Sequence, residues 1–323
     1  MLLAEVGDGV HRVTLALPWA LDHVHCYAIE DPEGWTLVDC GLGTPETEAG
    51  WREALDRLGN PTVRRVVITH FHADHIGASA SLVALTGAEE VVQGRDDLAS
   101  AERSFGRRGS ELESEAYLRA CGMPDDLIAS WLGSSFLTEA HLVEPTRLVD
   151  EDDHIEIAGV DYRVLVLRGH ADGHIVLHDE RGGRLFGGDV LLHKITPNVG
   201  AWEDSRPDPL GDFLTALARL EQLAPRIIYP GHRDLIENAA ERAAETLAHH
   251  DARLDRTVEV LQTGAQTPYE VSMGLWPKHF GMHERRFALA EALAHLIRLG
   301  TVGRAVEHEP GRWRPARGES VRP

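Results

Sequence analysis

The stretch Val66-Val67-Ile68-Thr69-His70-Phe71-His72-Ala73-Asp74-His75-Ile76-Gly77 decides how the chain reads. Its first three residues are apolar and β-branched, which suits a short strand buried on both faces. Four metal-capable residues follow in the pattern H-x-H-x-D-H. On an extended backbone, residues two apart face the same side, so His70 and His72 are placed to grip one ion. Asp74 and His75 fall beyond the strand end, where the chain turns, and can serve a second ion close to the first. Imidazole and carboxylate suit zinc, and iron or manganese as well. The bland alternative is four polar residues on a solvated loop, and such crowding of histidines at a strand end speaks against it.

Three further apolar strands end in glycine and a metal-capable residue. Val164–Leu167 runs into Gly169-His170, Arg184–Phe186 into Gly187-Gly188-Asp189, and Ile227–Tyr229 into Pro230-Gly231-His232. Glycine lets a backbone turn tightly and approach an ion closely. Upstream, residues 10–17, 24–29 and 35–38 read as strands, the last ended by Asp39 and Gly41. Asp39 reads equally as a carboxylate orienting a ligand histidine or as one bonding its own turn. His174, four residues after His170, reads as a structural or supporting histidine. His193, four after Asp189, divides evenly between the pocket and the surface. Helices are expected at 45–58, with Thr44 capping ahead of Pro45, at 76–85, 209–223 and 238–250.

Residues 96–142 are helical and irregular, an insertion expected over the site. Its aromatics, among them Phe105, Tyr117, Trp131 and Phe136, are expected mostly to pack it onto the body. The chain divides at residue 250, with 1–250 as the catalytic domain and 251–323 as a smaller C-terminal one. In the latter, helices at 253–262, after Thr267 and at 284–299 precede a hairpin over 301–314. The wide apolar face at 284–299 reads as a surface for packing or a homodimer contact. The chain of 323 residues carries a formal charge of −20, which opposes a general affinity for nucleic acid or anionic membrane. Three cysteines imply no disulfide framework. Neither a signal-peptide pattern nor an apolar run of spanning length is present, so a cytoplasmic setting without membrane is expected.

Taken together, H70-x-H72-x-D74-H75, His170, Asp189 and His232 resemble the motif set of the metallo-β-lactamase-fold hydrolase superfamily, over roughly residues 5–250. The resemblance implies an α+β fold, a four-layer αββα sandwich with metals at one edge. It implies that His70, His72 and His170 hold one ion, that Asp74, His75 and His232 hold a second, and that Asp189 bridges them. In the true zinc β-lactamases the residue corresponding to Asp189 is generally cysteine or serine, so this chain looks instead like the branch of glyoxalase-II-type thioesterases, lactonases and nucleases. The C-terminal helices and hairpin resemble the winged-helix-like tail of a subgroup that includes an endoribonuclease. The expected function is a binuclear metal-dependent hydrolase in which hydroxide shared by two divalent ions, Zn2+ foremost with Fe or Mn as alternatives, attacks a small-molecule acyl substrate such as a thioester or lactone. Asp189 would be the shared ligand, and Asp74 would receive or pass a proton. Two rivals stand beside this: a single-strand-specific endoribonuclease, supported by the tail and opposed by the charge, and a di-iron redox or sulfur-handling protein, weakened by the lack of a flavin or rhodanese module.

Overall fold

A computed structural model describes residues 1–106, 114–132, 142–277 and 280–317. The strands β1 (Leu2–Glu5), β2 (Val10–Ala16), β3 (His23–Ile29), β4 (Trp35–Val38), β5 (Val63–Ile68), β6 (Glu90–Gly94) and β7 (Arg147–Val149) lie in chain order in one seven-stranded sheet. It is antiparallel from β1 to β4 and parallel from β4 to β7. Parallel neighbours need crossovers, which α1 (Pro45–Arg57) and the short pair α2 (Ala73–Ile76) and α3 (Ser79–Thr86) supply. Thr44 caps α1, its side chain accepting from the Thr47 N–H. Val66, Val67 and Ile68 in β5 are fully buried, as a strand covered on both faces requires.

A second sheet runs in the order β12-β11-β10-β9-β8, formed by β8 (His154–Ile157), β9 (Val160–Val166), β10 (Ile175–Asp179), β11 (Arg184–Gly188) and β12 (Ile227–Pro230). Only β11 and β12 are parallel there, and α7 (Pro209–Leu223) connects them. The inner faces meet through Tyr27, Val67 and Val92 from the first sheet and Ile155, Leu177 and Phe186 from the second. Trp51 and Leu82 cover the outer face of the first sheet, packed on Leu15 and Leu37. Phe213 and Leu217 of α7 cover the second, packed on Leu165 and Val176. The layers are thus helix, sheet, sheet, helix. Each fully buried side chain of this size contributes roughly 1.5–3 kcal/mol from apolar burial.

Between β6 and β7 lie the insertion helices α4 (Arg95–Gly106), α5 (Glu115–Ala120) and α6 (Asp125–Leu132). After β12 comes α8 (Ala239–Leu261), one continuous helix through residue 250 where two were expected. The small C-terminal domain adds α9 (Pro268–Leu275), opened by a Thr267/Glu270 capping box, then α10 (Met282–Thr301) and a hairpin of β13 (Ala305–Glu309) and β14 (Arg312–Pro315). Ala292, Leu296 and Leu299 of α10 share one core with Phe213 and Leu217 of α7 and with Leu254 and Val258 of α8. The tail's apolar face is therefore buried against the body. Among the described residues no helix is long and apolar enough to cross a membrane.

Two local expectations need correction. Strand β5 stops at Ile68, so His70 and His72 stand on the loop before α2, and strand alternation is not what brings them together. The cause is Asp39, whose carboxylate takes the Thr69 N–H at 2.8 Å and ends the ladder there. The helix expected at 76–85 is the pair α2 and α3, broken at Gly77 and Ala78.

Candidate metal centre

The β5–α2 loop and the ends of β9, β11 and β12 meet at one edge of the sandwich. Gly231 N–H donates to Gly188 O at 2.7 Å, which locks the Asp189 and His232 segments together. A Cβ on Gly231 would lie 2.4 Å from Asp189 Oδ1, and one on Gly188, whose φ is +47°, 2.6 Å from Thr69 Oγ1. Both positions require glycine for close approach.

His70, His72 and His170 form the first donor group. His72 Nδ1 lies 3.1 Å from His70 Nε2 and 2.9 Å from His170 Nε2. His170 donates from Nδ1 to Asn198 O at 2.8 Å, which leaves its Nε2 lone pair aimed at the group. Burial first, then neighbouring histidines, hold His70 and His72 well below the usual histidine range, so these rings are neutral. Burial also lowers His170, against the pull of Asp189.

Asp74, His75 and His232 form the second group. Asp74 Oδ2 lies 3.3 Å from His232 Nε2. His232 donates from Nδ1 to His23 O at 2.7 Å, and His75 pairs through Nδ1 with Asp39 Oδ2 at 2.8 Å. Between the groups sits Asp189, with Oδ2 at 3.2 Å from His232 Nε2, 3.5 Å from His75 Nε2 and 3.6 Å from His170 Nε2. Burial works against charge on these groups, but the opposite charges outweigh it. Asp189 is held well below the usual carboxylate range by His232 and His75, and Asp74 is held at about 2. Asp189 and Asp39 raise His75 well above its usual range, while Asp189 and Asp74 lift His232 to about 10.

These donors fit metal ions on two counts. His75 Nε2 and Asp189 Oδ1 are buried with no hydrogen-bond partner, a costly state that a cation would relieve. The nitrogens of the first group also converge at distances where neutral lone pairs repel unless a proton or cation lies between them. Nitrogen and carboxylate oxygen suit zinc, iron and manganese alike.

Asp39 is buried at φ +62° and anchors both His75 Nδ1 and the Thr69 backbone. His174 is buried beside the cluster, accepts the Asp189 N–H at Nε2 (3.1 Å) and stacks on His70 with ring centroids 4.5 Å apart, but it belongs to neither donor group. His193 does not line the adjoining cavity. It pairs with Asp234 at 3.2 Å on the surface. Sequence reading missed Asp97, Asn198 and Glu291. Asp97 is fully buried, accepts the Phe71 N–H at 2.8 Å and so sets the histidine loop; burial raises its carboxyl to about 8. No local pattern marks any of the three.

Residues 19–232 match the family model described as the metallo-beta-lactamase superfamily. The chain belongs to that superfamily. Residues 254–315 match a second model, the metallo-beta-lactamase-like C-terminal domain. A probable metallo-hydrolase, YqjP, of Bacillus subtilis (strain 168) is 26% identical over 304 residues, covering 90% of this chain and 91% of that protein. An acyl-coenzyme A thioesterase, MBLAC2, of Gallus gallus is 29% identical over 247 residues, 73% of this chain and 81% of its own length. A superfamily protein from Thermus thermophilus superposes with a TM-score of 0.82 at 32% identity, covering 95% of this chain and 98% of the other. A β-lactamase domain protein from Burkholderia ambifaria reaches a TM-score of 0.88 at 28% identity, over 97% and 94%. With its donor groups in place, this superfamily member is a metallo-hydrolase.

Proposed function

We propose that the chain hydrolyses a small acyl substrate, a thioester or a lactone, at a binuclear site held by His70, His72, Asp74, His75, His170, Asp189 and His232, with zinc as the expected metal. The observation that carries this reading is the cavity onto which the site opens. Its volume is about 640 Å3, and His72, Asp74, His170, Asp189 and His232 form one end. The remaining walls are mostly apolar and include Trp19, Phe71, Trp202, Trp276, Phe280 and Phe287. A concave, largely apolar site with a few convergent polar groups is what a small ligand needs. The similarity to a protein named as an acyl-coenzyme A thioesterase points the same way.

Two divalent ions there would polarise the scissile carbonyl and bring the pKa of water down towards neutrality. The chain's own groups do the rest. Asp74 lines the cavity as an ionised carboxylate and is placed to accept a proton at Oδ1 or Oδ2. Asp189 holds His75, His170 and His232 about one oxygen, while Asp39 and His23 fix the tautomers of His75 and His232.

A ribonuclease is disfavoured. The cavity arginines Arg103, Arg233 and Arg286 are matched by Asp172, Asp204, Glu284 and Glu291, and the net charge is −20, so a polyanion finds little to neutralise. The test is to assay purified, metal-analysed protein against thioester, lactone and single-stranded RNA panels, with filter binding to RNA at low and moderate salt. Turnover of a thioester or lactone alone is expected. RNA cleavage, or tight binding with a steep salt slope, would overturn the reading.

A further inference from the structure

One wall of the cavity comes from outside the metal-bearing sandwich. Trp276, Phe280, Glu284, Phe287 and Glu291 belong to the C-terminal domain, three of them on α10. This wall is fastened to the segment 195–202 that follows Asp189. Ala201 N–H donates to Ala290 O at 3.0 Å. The Asn198 amide nitrogen donates to Glu291 Oε2 at 3.1 Å and reaches Phe287 O at 3.5 Å. Phe287 meets Trp202 edge-on with centroids 6.0 Å apart, and the Arg286 guanidinium stacks 5.0 Å from the Trp202 ring. On its other side, the same segment takes the His170 Nδ1–H at Asn198 O. The segment is thus pinned between a metal-ligand candidate and α10.

The helix is itself clamped. Leu289 packs on Leu118 and Ile128 of the insertion, while Leu296 and Leu299 pack on α7 and α8. Phe287 and Trp202 are therefore tied to the metal centre through one peptide segment. Burial raises Glu291 to about 7, so near neutral pH it is partly protonated and uncharged, and Glu284 lines the same cavity.

We propose that α10 is the substrate-selecting wall of this site, with Phe287 against Trp202 setting the length and width of the apolar acyl group admitted. The proposal rests on the acyl-hydrolase reading above. It gives the C-terminal domain a direct part in substrate choice. A pocket wall that gains or loses a few methylenes of space discriminates by about tenfold or more in kcat/KM.

The experiment uses the full, metal-loaded chain with Phe287→Ala, Phe287→Leu and Phe287→Trp, each checked for metal content and circular dichroism. Straight-chain thioesters of one thiol, from acetyl to dodecanoyl, are assayed. In parallel the matching carboxylates, which are the products, are titrated by calorimetry, a readout that needs no turnover. The smaller side chains are expected to shift the preferred length upwards and Phe287→Trp to shift it downwards. The long-to-short ratio should move about tenfold in opposite directions in both assays. Carboxylate preferences that shift without any thioester turnover would fail the thioester form of the acyl-hydrolase reading and leave the wall standing. Identical length profiles in all folded variants, or neither turnover nor carboxylate binding, overturn the wall. Phe287→Leu keeps the test decisive should the larger changes prevent folding.

Discussion

Loading the two donor groups with metal should give opposite pH signatures. His70, His72 and His170 are held below the usual histidine range by burial, so near pH 7 their nitrogens take an ion without losing a proton. His75 and His232 are the reverse case. Burial disfavours their charge, but Asp189, helped by Asp39 at one ring and Asp74 at the other, holds both protonated. In effect the two protons supply the positive charge that an ion would bring. An ion that takes Nε2 of each ring must displace them. With His232 at about 10, removing its proton at pH 7 costs three units at about 1.4 kcal/mol each, so about 4 kcal/mol. The sign follows directly: affinity at this group rises as pH rises, about tenfold per unit for each proton displaced, and about 100-fold per unit for two. Calorimetric titration of metal-free protein with zinc or manganese, in buffers of different ionisation heat, counts the protons. About two should be released on filling both groups, and the ion lost first on acidification should be that of Asp74, His75 and His232. Two ions with the same pH dependence would refute the charge assignment. A stoichiometry that stays near one at pH 8 under saturating metal would refute the pair of sites.

Asp189→Ala leaves His75, His170 and His232 without their shared oxygen, so hydrolysis should fall roughly 100-fold or more while circular dichroism stays native. Activity within a few-fold of the parent would mean that Asp189 does not bridge. Asp39→Asn keeps an acceptor for Thr69 and His75 but removes the charge, and metal affinity should drop roughly 10- to 100-fold by competition titration. An unchanged affinity would reduce Asp39 to a turn residue. His250 and His295 are buried and lowered to about 3 and about 4 by burial first, His250 also by its neighbour. Both stay neutral in the fold, so their stabilisation is present above about pH 6.5 and is lost as pH falls towards their folded values, by roughly 1.4 kcal/mol per unit for each. His250→Leu should flatten the acid limb of urea stability between pH 7 and 5. An acid limb as steep as the parent's would place the loss elsewhere.

Most of the fold was legible because its signals are local. Apolar runs ending in Gly and His or Asp marked β9, β11, β12 and the metal edge, and Thr44-Pro45 marked α1. Local signals also misled where a distant partner decides. Nothing beside Thr69 says that Asp39, thirty residues upstream, ends β5 and puts His70 and His72 on a loop. The polar run His249-His250-Asp251 resembles a linker between two helices, yet His250 is buried edge-on to Phe213, with centroids 5.5 Å apart, inside the continuous helix α8. The insertion's Phe105 and Tyr117 pack as expected; Trp131 and Phe136 lie outside the described side chains. The cavity wall was the least legible part. Asn198, Phe287 and Glu291 lie far along the chain from the histidine motif and form no pattern, so only tertiary packing gathers them. The tail therefore contributes to the site as well as to the core: Glu284, Phe287 and Glu291 of α10 line the cavity, while Leu296 and Leu299 of the same helix pack on α7 and α8.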